Sequence, residues 1–393
     1  MDYQYDSRKI KPGDGFICLP GGEQFEADAR ANGAVEVRRM TRVEMGDFAN
    51  AHFGFPSRHL TVVGVTGTNG KTTVTQLIAQ GLHAAGLKPM VLGTLNAELT
   101  TPESFEIARR MRAHLDDGGT HFVMEVSSHA IDQDRIYGID FDVRLLTNVT
   151  QDHLDYHKTF EAYRDTKVRF MSGPGIAIYP EQFAQEALHF EVPLPGRFNH
   201  RNFQAAVAVL RKLEIDEAVI SSGMAKAQAP AGRFETVREG QSFEVIVDYA
   251  HTPDGLENVA TEAQLMASRG LGRLIIVFGC GGDRDRTKRP KMGRVAETYA
   301  DVIVVTSDNP RSELPEDIIA EVCSGLLMPD QAVVFVDRRA AIRWAIHHAK
   351  SHDVVLVAGK GHETYQIVGG ERHHFDDREE CRAALKECNE SLD

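Results

Sequence analysis

Short apolar runs recur along the chain, and most are followed by a polar loop and then by apolar residues at helical spacing. The run Thr61 to Val65 reads as a buried strand, and Leu77, Ile78 and Leu82 mark the helix after it. Further strands are expected at 88–93, 121–126 and 142–149, with helices at 103–117 and 159–171. A second series follows the stretch 226–234, with strands at 243–248, 273–279, 301–306, 332–336 and 353–358. Alternation of this kind implies α/β architecture, with mostly parallel sheets covered by helices. Near the start, Phe16 to Pro20 is strand-like, in a unit too short to bury much of a core alone. Three domains are expected: a small α/β unit at 1–57, a central parallel-sheet domain at 58–230, and a Rossmann-like doubly wound domain at 231–393.

The first long strand runs into Gly67-Thr68-Asn69-Gly70-Lys71-Thr72-Thr73. Strand, glycine loop, Lys-Thr and helix is the layout of a phosphate-binding loop. Glycines let backbone N–H groups face a phosphate, and the helix N-terminus adds partial positive charge. Lys71 can reach the β- and γ-phosphates, and the Thr72 hydroxyl can ligate Mg²⁺. Val65 stands where the strict pattern has its first glycine. Nucleotide binding is the expectation.

Composition narrows the class. A formal charge of −13 argues against a general nucleic-acid or anionic-membrane binder. The five cysteines are scattered, which suits reduced thiols in a cytoplasmic protein. No apolar run approaches the ~18 residues of a membrane span.

Polar residues gather where strands end, which is where ligands bind such sheets. Glu125 and His153 follow central strands and could hold a divalent cation with Thr72. Taken alone, His153 reads more readily as a satisfied loop histidine than as a ligand, and Lys167 on its helix reads as a solvated charge. In the last domain, loops carrying Asp248 and His251, Arg284, Asp308-Asn309-Pro310-Arg311, and Gly359 through Glu363 share one sheet edge. Turn chemistry alone needs no arginines or glutamate there.

Together these motifs resemble the Mur ligases, ATP-dependent amide-forming enzymes of peptidoglycan synthesis. The resemblance runs in motif order from Asp6-Ser7-Arg8 through the ATP loop, Glu125 to His129, Asn148 to His157, Gly196 to Asn202 and the C-terminal loops. It implies ATP and two Mg²⁺ sites, with Lys71, Glu125, His153 and Lys167 as catalytic residues. Lys167 is implied to carry a CO₂-derived carbamate, and Thr72, Glu125, His153 and the carbamate to hold metal. Asn199, Asn202, Arg233, Asp248 and His251 are implied to complete the ATP site. Ser7, Thr100, Thr101, Ser127, Gln133 and Arg135 are implied to bind a UDP-muramoyl dipeptide. Arg284, Asp308, Asn309, Arg311, Gly359 and Glu363 are implied to bind the incoming amino acid. The Asp-Asn-Pro-Arg form points to the branch that adds the third peptide residue, as meso-diaminopimelate. An arginine fork suits its distal carboxylate, and Glu363 its distal ammonium. A monomer without nucleic-acid or membrane partners is expected.

The first domain is shorter than the family norm, and the segment Gly93 to Thr101 lacks a loop usual there. Both serve the nucleotide-sugar substrate, so another carboxylate acceptor is an alternative. L-lysine as amine and a non-catalytic nucleotide-binding partner are the others.

Overall fold

The computed structural model describes residues 1–390. Three parallel strands, Tyr3–Gln4, Gly15–Cys18 and Glu36–Arg39, form the sheet of the first domain. Its core is small. Ile17, Met45 and Ala49 are fully buried, and Phe105 of the central domain completes their cluster. The first domain therefore shares its core with its neighbour, as its length required.

The central sheet is parallel throughout, in the order Pro89–Leu92, His121–Glu125, Thr61–Thr66, Val143–Leu146, Ile176–Ile178. Val62, Val63 and Val65 are fully buried, as expected of a strand covered on both faces. Register does functional work here. Val65 pairs with Glu125 and Thr66 with Leu146, so two strand ends open onto the phosphate loop.

The C-terminal sheet orders Val333–Val334, Val302–Val305, Leu274–Phe278, Val354–Ala358, Glu244–Asp248 and Glu235–Val237. All neighbours are parallel except the last pair. Helices cover both faces, giving two separate apolar clusters.

Most expected elements are present, with three differences. The strand expected at 142–149 stops at Leu146, because Thr147 and Asn148 turn away to bond the carbonyl of Asn69 at 2.7 and 3.0 Å. The strand at 332–336 shortens to Val333–Val334, an edge pairing only with Val304 and Val305. The helix Arg197–Lys212 was not foreseen, although Phe203, Val207 and Leu210 mark its buried face. It packs on the helix Lys71–Ala84, where Leu210 fills the space a side chain at Gly81 would need.

Candidate active site

The loop between Thr66 and Lys71 is built from close backbone approaches. Gly67 has φ 147° and Gly70 φ 87°, both in the positive-φ region that L-residues rarely adopt. A Cβ on Gly67 would lie 1.8 Å from Thr147 Oγ1, and one on Gly70 2.6 Å from Asn202 Oδ1. Asn202 is thereby placed against the loop; its amide donates to Asn199 Oδ1 at 3.3 Å. No side chain caps the helix Lys71–Ala84, which leaves its first N–H groups for an anion.

Two lysines converge on one carbonyl. Lys71 Nζ donates to Gly67 O and Thr68 O, both at 2.9 Å, and Lys167 Nζ donates to Gly67 O at 2.9 Å. Lys167 is 1% exposed, which overturns its reading as a solvated charge. Tyr163, Thr166, Lys167 and Phe170 form the buried stripe of the helix Phe160–Met171. That spacing of i, i+3, i+4 and i+7 was the available signal. Burial, and then the Lys71 charge, hold the Lys167 amine well below its ordinary pKa, against an opposing pull from Asp152. Burial lowers Lys71 as well.

Thr72 and Glu125 come together as expected: the hydroxyl lies 3.0 Å from both carboxylate oxygens. Thr94 also donates to Glu125, through its backbone N–H at 2.9 Å. Arg233 reaches across from the C-terminal side, stacks over Tyr249 at 4.2 Å, and donates to Thr72 Oγ1 at 3.0 Å. His153 stands apart from Glu125. Its Nε2 is 3.3 Å from Asp152, and no hydrogen bond among the described residues joins it to Glu125 or Lys167. Burial pushes the His153 pKa down to about 3.

The C-terminal domain grips this loop directly. Asn69 Nδ2 donates to Asp254 Oδ2 at 2.7 Å, and Thr252, which caps the helix Pro253–Arg269, donates to Asn69 Oδ1 at 3.4 Å. His251 Nε2 lies 3.9 Å from Asp152. Asp248 is used structurally, accepting the Phe234 and Ala250 N–H groups at 2.7 Å each, and burial raises its pKa.

A second cluster of polar side chains forms at the carboxyl edge of the C-terminal sheet. Asn309 Nδ2 donates to Glu363 Oε2 at 2.8 Å, and Lys360 Nζ to the same oxygen at 3.0 Å. Burial and the nearby Asp308 raise the Glu363 pKa. Burial would raise Asp308 too, but Lys360 and Arg338 outweigh it and hold Asp308 low. Arg311 donates to Gly282 O at 2.7 Å and Arg284 to Asp283 O at 2.9 Å. Each guanidinium thus rests on carbonyls, near enough to its neighbour that Arg284 adds to the burial lowering Arg311's pKa. Gly359 has φ 121°, and a Cβ there would lie 2.6 Å from Asp308 Oδ2.

The residues expected at the acceptor divide. Thr101 Oγ1 donates to Glu125 O at 2.8 Å and accepts the Ser127 N–H at 3.0 Å. Arg135 donates to Thr101 O at 3.1 Å and to Gln133 Oε1 at 2.5 Å. Thr100 joins through Thr94, hydroxyl to hydroxyl, at 3.1 Å. Ser7 lies apart, in the first domain, where its carbonyl accepts from Asn32 at 3.0 Å. Sequence reasoning missed Asp152, Tyr163, Asp254 and Lys288 as members of the site. Tyr163 could have been found from its place in the buried stripe of its helix; only placement reveals Asp152, Asp254 and Lys288, since isolated acids and lysines carry no distinguishing pattern.

Fold and site together define a phosphate-loop α/β protein with a second polar cluster on a separate sheet. Residues 65–184 match the Mur ligase middle domain, and 232–361 the Mur ligase glutamate ligase domain. A UDP-N-acetylmuramoyl-L-alanyl-D-glutamate–2,6-diaminopimelate ligase of Syntrophomonas wolfei is 41% identical over 97% of this chain and 94% of its own length. One of the same name from Geobacillus thermodenitrificans is 39% identical over 98% and 94%. A solved structure of a ligase with that name superposes with TM-score 0.59 at 30% identity, covering 99% of this chain and 95% of that one. The chain belongs to the Mur ligase family. Its alignment with the Syntrophomonas protein spans 463 positions against 393 residues here, so the relative has internal segments this chain lacks. Among the described residues, no helix is long and apolar enough to cross a membrane.

Proposed function

We infer that this chain is an ATP-dependent ligase that joins meso-2,6-diaminopimelate to the D-Glu γ-carboxylate of UDP-MurNAc-L-Ala-D-Glu, in peptidoglycan precursor synthesis. Identity of 41% with a ligase of that name, over nearly all of both chains, carries the reading. Several groupings of side chains support it. The free N–H groups of the helix Lys71–Ala84, with Lys71, bind the ATP phosphates, and Asn199 and Asn202, bonded to each other beside Gly70, serve the nucleotide. Thr101, Ser127, Gln133 and Arg135 orient the acceptor so that its carboxylate meets the γ-phosphate. Attack gives an acyl phosphate and ADP. The amine of diaminopimelate then attacks the acyl carbon, and the tetrahedral adduct releases phosphate.

Arg284 and Arg311 clamp the amino acid's distal carboxylate, while Glu363 faces its distal ammonium. Closure between Asn69 and the Thr252–Asp254 turn excludes water from the acyl phosphate. Thr72 and Glu125 offer oxygen donors suited to Mg²⁺, and the Arg233 guanidinium already places a cation on the Thr72 hydroxyl. Mg²⁺ bound there would neutralise phosphate charge. The buried amine of Lys167, held toward its neutral form, is suited to capture CO₂ as a carbamate and so serve a second Mg²⁺ together with His153.

The test is ADP release with meso-diaminopimelate and UDP-MurNAc-L-Ala-D-Glu, run beside a panel of other carboxylates and L-lysine. Turnover dependent on both named substrates is expected. Turnover only with another acid, or equal rates with lysine, would overturn the assignment.

A further inference from the structure

Several buried cations of the C-terminal domain play no part in the steps above, and Lys288 is the one paired with an acid of the central domain. Lys288 is 5% exposed and ends the short turn Arg286–Lys288. Its ammonium lies 3.6 Å from Asp152 of the central domain, itself a buried acid. Such a pair is a weak source of stability, because both charges lose water, but it can fix how two surfaces register. Asp152 is where the central loop is anchored: it accepts the backbone N–H of His153 at 2.9 Å and faces both His153 and His251. The preceding residue is clasped by the same C-terminal segment. Gln151 Nε2 donates to Thr287 Oγ1 at 3.0 Å and Asp285 Oδ2 at 3.4 Å, and its Oε1 accepts from Lys291.

Each segment therefore has a substrate end and a clasp end. One runs from Arg284 of the amine pocket to Lys291. The other runs from Asn148, whose Oδ1 accepts the Asn69 N–H at 2.9 Å, to His153. We propose that Lys288 is a positioning residue: docked on Asp152, it holds the 148–153 loop, and the ATP loop with it, in register with the amine pocket. The proposal rests on the ligase reading above.

Lys288→Met keeps the stem and removes the charge; Lys288→Arg keeps the charge. In the full chain, Lys288→Met lowers kcat about a hundredfold, the cost of a misplaced reacting geometry. The KM for ATP stays within about threefold, because the phosphate contacts themselves remain. Lys288→Arg recovers most of kcat. Without any substrate, amide exchange across 148–157 rises in Lys288→Met and stays near wild type in Lys288→Arg. A kcat within about threefold of wild type, or unchanged exchange across 148–157, overturns the proposal. If Lys288→Met does not fold, Gln151→Ala tests the same clasp by exchange: faster exchange across 148–157 supports it and unchanged exchange overturns it. Exchange is read without turnover, so a wild type inactive on the named acceptor would count against the ligase reading and leave this test intact.

Discussion

At the phosphate loop the cations rest on carbonyl oxygens, whereas in the C-terminal pocket a lysine already holds a carboxylate. Lys71 and Lys167 share the Gly67 carbonyl, and Arg233 sits on the Thr72 hydroxyl. Lys360 instead pairs with Glu363, beside Asp308 and Asn309. Under the proposed function the difference follows the ligands. A polyphosphate brings only negative charge, so its site stores cations on neutral partners that are given up at low cost. On the proposed reading a diamino dicarboxylate brings both signs, and a pocket for it would balance Glu363 while leaving Arg284 and Arg311 on carbonyls, open to a carboxylate.

Removing a cation from each region sharpens that contrast. Lys71→Ala should lower kcat/KM about a thousandfold, since it deletes a charge aimed at the transferring phosphoryl group; steady-state ADP release measures it. The loss should be the same with every amine offered. Arg311→Ala should lower kcat/KM for diaminopimelate about a hundredfold, the scale for truncating one partner of a buried charge pair. Rates with L-lysine should barely change, and an equal loss for both amines would remove the distal-carboxylate role.

The smallest effect concerns pH. Burial holds His251 down to about 4 and His362 to about 3, from an ordinary 6.5. The unfolded chain therefore binds more protons than the folded one in this window. Their contribution is complete above pH 6.5 and is lost as pH falls toward 4 and 3. Differential scanning fluorimetry should show Tm falling by a few degrees from pH 6.5 toward 4, and His251→Gln should flatten part of the fall. A Tm that rises on acidification would contradict the assignment.

Much of the ATP side was readable in the chain, because its geometry is local. Gly67 to Thr73 is one continuous stretch, and its strand and helix follow from periodicity. The residues proposed to hold the amine were readable as loops at strand ends, since Asp308, Asn309, Arg311 and Glu363 each follow a strong apolar run. Helix Arg197–Lys212 was legible but unread. Lys167 was misjudged from composition, because whether a helix lysine is solvated depends on what covers its face, although the stripe Tyr163, Lys167, Phe170 was there to see.

By itself the sequence determined the alternation of strands and helices, the phosphate loop and the charge types at each sheet edge. These depend on residues a few positions apart, where periodicity and backbone preference decide. Only tertiary structure decided that Asn69 meets Asp254, that Arg233 reaches Thr72, and that Lys288 docks on Asp152. Those partners lie more than a hundred residues apart, on separately folded sheets. No local pattern encodes such pairs, because they exist only once the two domains have closed on each other.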